Sequence, residues 1–122
     1  MTAPLARLII YTRKMDEMVT FYERHFGFVA HRQEGDRIVE LRPKSGGAIL
    51  MLHPAGKTQK QGQVLVKLVF DVEDVDAFCA EAAGRDLMFG PIHQADGYRF
   101  SNTKDPSGNS VSVSSRAFVT TD

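Results

Sequence analysis

Two stretches of this chain carry the same helical stripe, and that repetition limits the fold more than any other feature. Met18, Phe21, Tyr22, His25 and Phe26 fall at i, i+3, i+4, i+7 and i+8, one apolar face of an α-helix. Val75, Phe78, Cys79, Ala82 and Ala83 repeat those spacings at an offset of 57, Met18 answering to Val75. An alternating apolar run precedes each stripe, Leu5 to Thr12 and Val64 to Phe70, and a glycine stops each, Gly27 and Gly84. Asp16 is placed to cap the first helix, and an acidic turn, Asp71 to Asp74, leads into the second. Short strands separated by turn residues follow both helices. In the first half these are Phe28 to Gln33, Arg37 to Arg42 and Ala48 to His53. Two copies at a period of about 60 are too few for a solenoid and suit two fused modules. Each module reads strand, helix, three strands, so the expected class is α+β, two βαβββ modules in one domain over 1–122, the first about 1–56 and the second about 62–118. One helix covers one face of a short sheet. The other face must meet a ligand, the sister module or another subunit.

Pro54 to Gln63 has no apolar periodicity and is expected to be a linker or mobile loop. Near the end of the chain, Asp105-Pro106-Ser107-Gly108-Asn109 reads as a turn. The strand after it alternates strictly, Val111 and Val113 on one side and Ser110, Ser112 and Ser114 on the other. The serine side suits a cavity wall or solvent, and counting alone makes this a half-exposed edge strand.

Composition narrows the partners. Fifteen Lys and Arg balance fifteen Asp and Glu, so no net field draws nucleic acid or an anionic membrane. Cys79, the single cysteine, can form no internal disulfide and fits a reducing cytoplasm. No signal peptide is legible at the N-terminus, and no apolar run approaches the roughly 20 residues of a membrane helix. No phosphate-binding glycine loop or serine-nucleophile elbow appears.

The order of these pieces resembles the vicinal-oxygen-chelate superfamily, also called the glyoxalase, bleomycin-resistance and dioxygenase superfamily. The matching pieces are the first strand, Phe21-Tyr22 with Phe26-Gly27-Phe28, Val72-Glu73-Asp74-Val75 at the second helix entry, and Asp105-Pro106-Ser107-Gly108-Asn109 before the last strand. The resemblance implies paired βαβββ modules with a curled mixed sheet around a small-molecule cup, closed within one chain or between two. It also implies a homodimer. Metal-dependent members hold one divalent ion with four side chains, from the first and last strands of each module. By spacing, those four positions fall at Arg7, Met51, Lys67 and Ser112. A guanidinium cannot coordinate, an ammonium must first lose a proton, a thioether prefers soft metals, and a lone serine hydroxyl is weak. The expected metal site is therefore none, with no cofactor, as in the superfamily's antibiotic-sequestering binding proteins.

The candidate ligand-binding residues are Arg7 and Lys67 as an anion clamp, Tyr11 as a stacking or hydrogen-bonding ring, Met51 as wall, His53 at a strand end, and Ser112. Arg7 and Lys67 can equally pair with nearby carboxylates. Glu40, if inward, is the remaining carboxylate base. His31 and His93 lie on short strands of uncertain facing, and His25 belongs to the helical stripe. Cys79 reads as a buried small hydrophobe. Phe89, Tyr98 and Phe100 read as cup wall or as core. The expected function is a metal-free protein that holds a small, planar, anionic molecule. The alternatives are a lyase or dioxygenase-type enzyme with atypical ligands or acid/base chemistry through His53 or Glu40, and an interaction module with a filled cup.

Overall fold

The computed structural model describes residues 1–119. The chain divides into two compact units, Met1–Gln61 and Gly62 onward. The first contains β1 (Arg7–Thr12), α1 (Met15–Phe26), β2 (Phe28–His31), β3 (Val39–Pro43) and β4 (Ile49–Pro54). Its sheet has the order β1-β4-β3-β2, with β1 parallel to β4 and the other pairs antiparallel. The second contains β5 (Lys67–Asp71), α2 (Val75–Ala83), β6 (His93–Gln94), β7 (Arg99–Lys104) and β8 (Ser110–Ser114), followed by a 3-10 turn at Arg116–Phe118. Its order is β5-β8-β7-β6, again with one parallel pair, β5 with β8. The α+β class and the βαβββ layout are as expected, with each module building its own four-stranded sheet.

The equivalence between units differs in detail from the stripe match. Arg7 and Lys67 each open a first strand, and Met15 and Val75 each open a helix, so the structural offset is 60. An apolar stripe repeats every three to four residues, so sliding a helix by three lands on the same face, and the offset of 57 aligned residues one turn apart.

The first core lies between α1 and the β2–β4 part of its sheet. Met18, Val19, Phe21 and Tyr22 meet Phe28, Val39, Leu41, Leu50 and Leu52, all buried. Tyr22 and Phe28 pack edge to face at 5.8 Å. Phe26, Leu8 and Ile10 belong to this face but are only half-buried, because α1 lies chiefly over β2–β4 rather than over the edge strand β1. In the second unit Val75, Ala82, Leu87, Val111 and Val113 are buried, while Phe78, Leu68 and Phe70 are half-buried. Phe89 packs against Phe78, edge to face at 6.1 Å, on the helix side.

Several local expectations are corrected. Asp16 does not cap α1. The helix starts earlier, its N-cap is Lys14 with no side-chain cap bond, and Asp16 lies in the first turn, where a carboxylate complements the helix dipole. Asp74 does cap α2, its Oδ1 accepting from Ala77 N–H at 3.0 Å. Gly27 ends α1 at φ 70, whereas Gly84 follows α2 in right-handed geometry and Asp86 takes the left-handed turn. The strand after β2 begins only at Val39, because Asp36 Oδ1 accepts from Ile38 N–H and holds the chain in a turn. The second unit's first strand starts at Lys67 and leaves Val64, Leu65 and Val66 exposed.

Two corrections reach further. The strand Ser110–Ser114 is not an edge strand. It lies between β5 and β7, and Ser112 and Ser114 are 2% and 6% exposed. Small side chains on a central strand are covered by taller neighbours, which alternation alone cannot reveal. The stretch after Pro54 is not loose either. Arg13 Nη2 donates to the carbonyls of Gly56, Lys57 and Gln59 at 3.0, 2.7 and 2.8 Å. Gln61 Oε1 accepts from Thr12 Oγ1 and from Arg13 N–H. Irregular backbone without periodicity is here ordered by one guanidinium.

Candidate functional site

Each sheet has a face turned away from its helix, and period-two alternation decides what stands on it. In the first unit Ile9, Met51, Glu40 and His31 form one row across β1, β4, β3 and β2. Arg7 and Ile49 form the next row on one side, Tyr11 and His53 the row on the other. Arg7, Tyr11, Met51 and His53 therefore share one face.

Two arginines on this face share one carboxylate. Glu40 Oε1 accepts from Arg42 Nε at 2.8 Å and lies 3.2 Å from Arg7 Nη1. Arg42 first and Arg7 second hold the Glu40 carboxyl below the usual carboxylate range. A carboxylate so stabilised is a weaker proton acceptor, and Glu40 stands here as an ion-pair hub. Arg42 is the residue the sequence reading omitted. The alternation Glu40-Leu41-Arg42 was the available signal, since it puts both charges on one face.

Tyr11 and His53 are cross-strand partners, their rings 5.2 Å apart. His53 Nδ1 is 2.8 Å from Pro54 O. A carbonyl can only accept, so the neutral imidazole carries its hydrogen on Nδ1 and leaves the Nε2 lone pair available. Ile9 and Tyr11 are half-exposed, giving the face an apolar and aromatic floor.

In the second unit the corresponding face carries Lys67, Val69 and Asp71 from β5, Ser110, Ser112 and Ser114 from β8, and Phe100, Asn102 and Lys104 from β7. Lys67 Nζ donates to Asn102 Oδ1 at 2.9 Å and stands 5.9 Å over the Phe100 ring. Ser112 Oγ donates to the Ser101 carbonyl at 3.1 Å. Relative to the first strand of its unit, Ser112 sits as Met51 does: Met51 is opposite Ile9 and Ser112 opposite Val69, each two residues beyond Arg7 or Lys67. Asn102 was not anticipated, because the cross-strand neighbour of Lys67 depends on a register that the sequence does not specify.

The remaining candidates are placed as follows. His25 packs against Phe21, rings 5.2 Å apart. His31 is exposed at the edge of the Glu40 row, and His93 stacks beside Phe100 at 5.0 Å. Cys79 is half-buried, and burial pushes its thiol up, away from thiolate reactivity. Among the described residues, no three His, Cys, Asp or Glu side chains come together as a metal set.

Residues 5–113 match the family model described as "Glyoxalase/Bleomycin resistance protein/Dioxygenase superfamily". A comparison with curated protein sequences finds no match. Among solved structures the chain is similar to TnmS3, described as an antibiotic binding protein from Streptomyces sp. CB03234, at 22% identity over 92% of this chain and 94% of that one, with a TM-score of 0.76. UcmS2 is similar at 20% identity, covering 94% and 99%, with a TM-score of 0.79. A lactoylglutathione lyase from Agrobacterium tumefaciens is similar at 18% identity over 99% of both chains, with a TM-score of 0.73. At these identities the structural likeness speaks for the fold.

Proposed function

The chain belongs to the Glyoxalase/Bleomycin resistance protein/Dioxygenase superfamily, and on that premise we propose that it is a small-molecule-binding protein that takes a planar, anionic ligand on its open sheet faces without a metal ion. The observation that carries the reading is the donor set. The positions at which metal-dependent relatives would place ligands hold Arg7, Met51, Lys67 and Ser112, and these do not suit a divalent ion. Arg7 is bound to Glu40, Lys67 donates to Asn102, and the Ser112 hydroxyl is committed to a backbone carbonyl. A dication site needs about three or four lone-pair donors within roughly 2.0–2.6 Å, and on each face the corresponding position instead holds a cation that repels a dication.

The anionic preference follows from charge. Two arginines against one carboxylate leave the first face one positive charge in surplus, and Lys67 and Lys104 against Asp71 leave the second the same. On the first unit's open face Arg7, Tyr11, Met51 and His53 are the proposed contacts; on the second unit's face the proposed contact is Lys67, with Ser112 shaping the floor beside it. A relative of similar fold described as an antibiotic binding protein supports the class of function. The proposed assembly is a homodimer, since β1 and β5 are edge strands with apolar residues exposed along them, and the proposed compartment is the cytoplasm, which the single Cys79 suits. Among the described residues, no helix is long and apolar enough to cross a membrane.

A thermal-shift screen with small aromatic acids in one arm and divalent metals in the other tests the reading. A native-state ligand at a hundredfold excess over its Kd stabilises by about 2.7 kcal/mol, a shift of several degrees. Acids that raise Tm where metals do not are expected. Stoichiometric zinc, nickel, iron or manganese in protein purified from metal-replete medium would overturn it in favour of an enzyme.

A further inference from the structure

The open face of the second unit carries a row of rings outside the inherited ligand positions, and we infer that this row is a stacking floor for a planar aromatic anion; the inference rests on the small-molecule reading above. His93 and Phe100 are cross-strand partners with rings 5.0 Å apart and tilted by 31°. Tyr98 extends the row, its ring 6.2 Å from Phe100 and tilted by 35°. The placement is the reverse of a strand built for core packing. On β7 the side facing α2 receives Ser101, which is fully buried, and Thr103, while the large ring of Phe100 is given to the open side. Phe100 and Tyr98 stay half-buried and His93 is exposed.

The row is held by a tight turn and its hydrogen bonds. Ala95 N–H donates to the Tyr98 carbonyl at 2.8 Å across Asp96–Gly97, and Gly97 takes φ 83, which the turn requires. Gln94 Nε2 donates to the same carbonyl, and Arg99 Nε donates to Gln94 Oε1 at 3.0 Å. Cations stand over the rings. Lys67 Nζ is 5.9 Å from the Phe100 centroid. The Arg116 guanidinium is 5.2 Å from that of Tyr98, with Nη1 donating to Tyr98 Oη at 3.0 Å. Lys104 lies on the same face, and Asp71 is the carboxylate of its strands.

Rings and cations together select one chemistry. A fused aromatic ligand stacks on the row, and its anionic substituent takes Lys67 and Arg116, whose long side chains swing off the ring faces to meet it. A neutral aromatic keeps only the stacking, and an aliphatic anion keeps only the charge.

The test uses 2-naphthoate, neutral 2-naphthamide and cyclohexanecarboxylate, the naphthalenes followed by their own fluorescence in a chain that has no tryptophan. Naphthoate is expected to bind tightest. The double variant Lys67→Gln/Arg116→Gln should weaken naphthoate about tenfold and leave naphthamide within about twofold. Phe100→Leu should weaken both naphthalenes about fivefold. Should that variant fail to fold, His93→Leu at the exposed end of the row carries the same expectation. Equal weakening of naphthoate and naphthamide by the charge variant, or naphthoate binding unchanged by loss of the rings, overturns the inference. So does a screen in which other small molecules bind and naphthoate does not, an outcome that leaves the small-molecule reading standing. A screen in which nothing raises Tm defeats both.

Discussion

Asp105 is the residue whose removal should cost most for its size. It is 4% exposed at the head of the turn that delivers β8 into the centre of its sheet. Its Oδ1 accepts from Ser107 N–H at 2.9 Å and Asn109 N–H at 3.0 Å, and its Oδ2 accepts from Asn109 Nδ2 at 2.9 Å. The backbone closes the same turn, Gly108 N–H donating to Asp105 O and Asp105 N–H to Asn109 O. Gly62 packs onto this turn so closely that a Cβ there would stand 3.1 Å from Gly108 O. Asp105→Ala strips three donors of a charged acceptor where Ser107 is also buried. At about 1–3 kcal/mol for each such bond, less than additive because the donors share one carboxylate, the loss is about 3–5 kcal/mol. Asp105→Asn keeps one acceptor oxygen for the two backbone donors and turns an NH₂ toward Asn109, costing about 1–2 kcal/mol. The half-exposed Arg99–Asp76 pair sets the contrast, since Asp76→Asn should cost about 1 kcal/mol or less. Urea unfolding followed by circular dichroism, read as a shift in midpoint at constant slope, measures all three. An Asp105→Ala loss below about 1 kcal/mol, or an Asn variant as damaged as the Ala variant, refutes the claim that the bonds to one carboxylate hold the turn.

The Glu40 hub predicts a pH signature. Its carboxyl is held low in the folded state, so its contribution is present in full above the unfolded value of about 4.3 and is lost as pH falls through the folded value. The Tm difference between the wild type and Glu40→Gln should therefore be flat at neutral pH and shrink on acidification; a difference that grows in acid would contradict the ion pairs. The Arg13 staple predicts that Arg13→Gln exposes the chain at Lys57 and Lys60, with trypsin cutting there about tenfold faster under native conditions; an unchanged rate would mean that the loop is held by other contacts.

The sequence by itself determined the modules. Apolar spacings of 3.6 and 2 report which side of a local element is buried, and that information lies within a dozen residues. It was enough for two βαβββ units, for Tyr22 and Ala82 in the cores and for Gly27 at a helix end. Alternation also put Arg7, Tyr11, Met51 and His53 on equivalent faces of their strands. Tertiary structure decided what no local pattern contains. Whether Ser110–Ser114 is an edge or a centre depends on the parallel pairing of β8 with β5, about forty residues away, and the central position is what buries Ser112 and Ser114. The partners of Arg7 and Lys67 depend on register, which carries Glu40 and Asn102 to them from other strands. Arg13 could not be recognised as the organiser of 55–61 because it lies more than forty residues before the carbonyls it collects. In each case a local rule states which way a side chain points, and only the pairing of distant strands and loops states what it meets there.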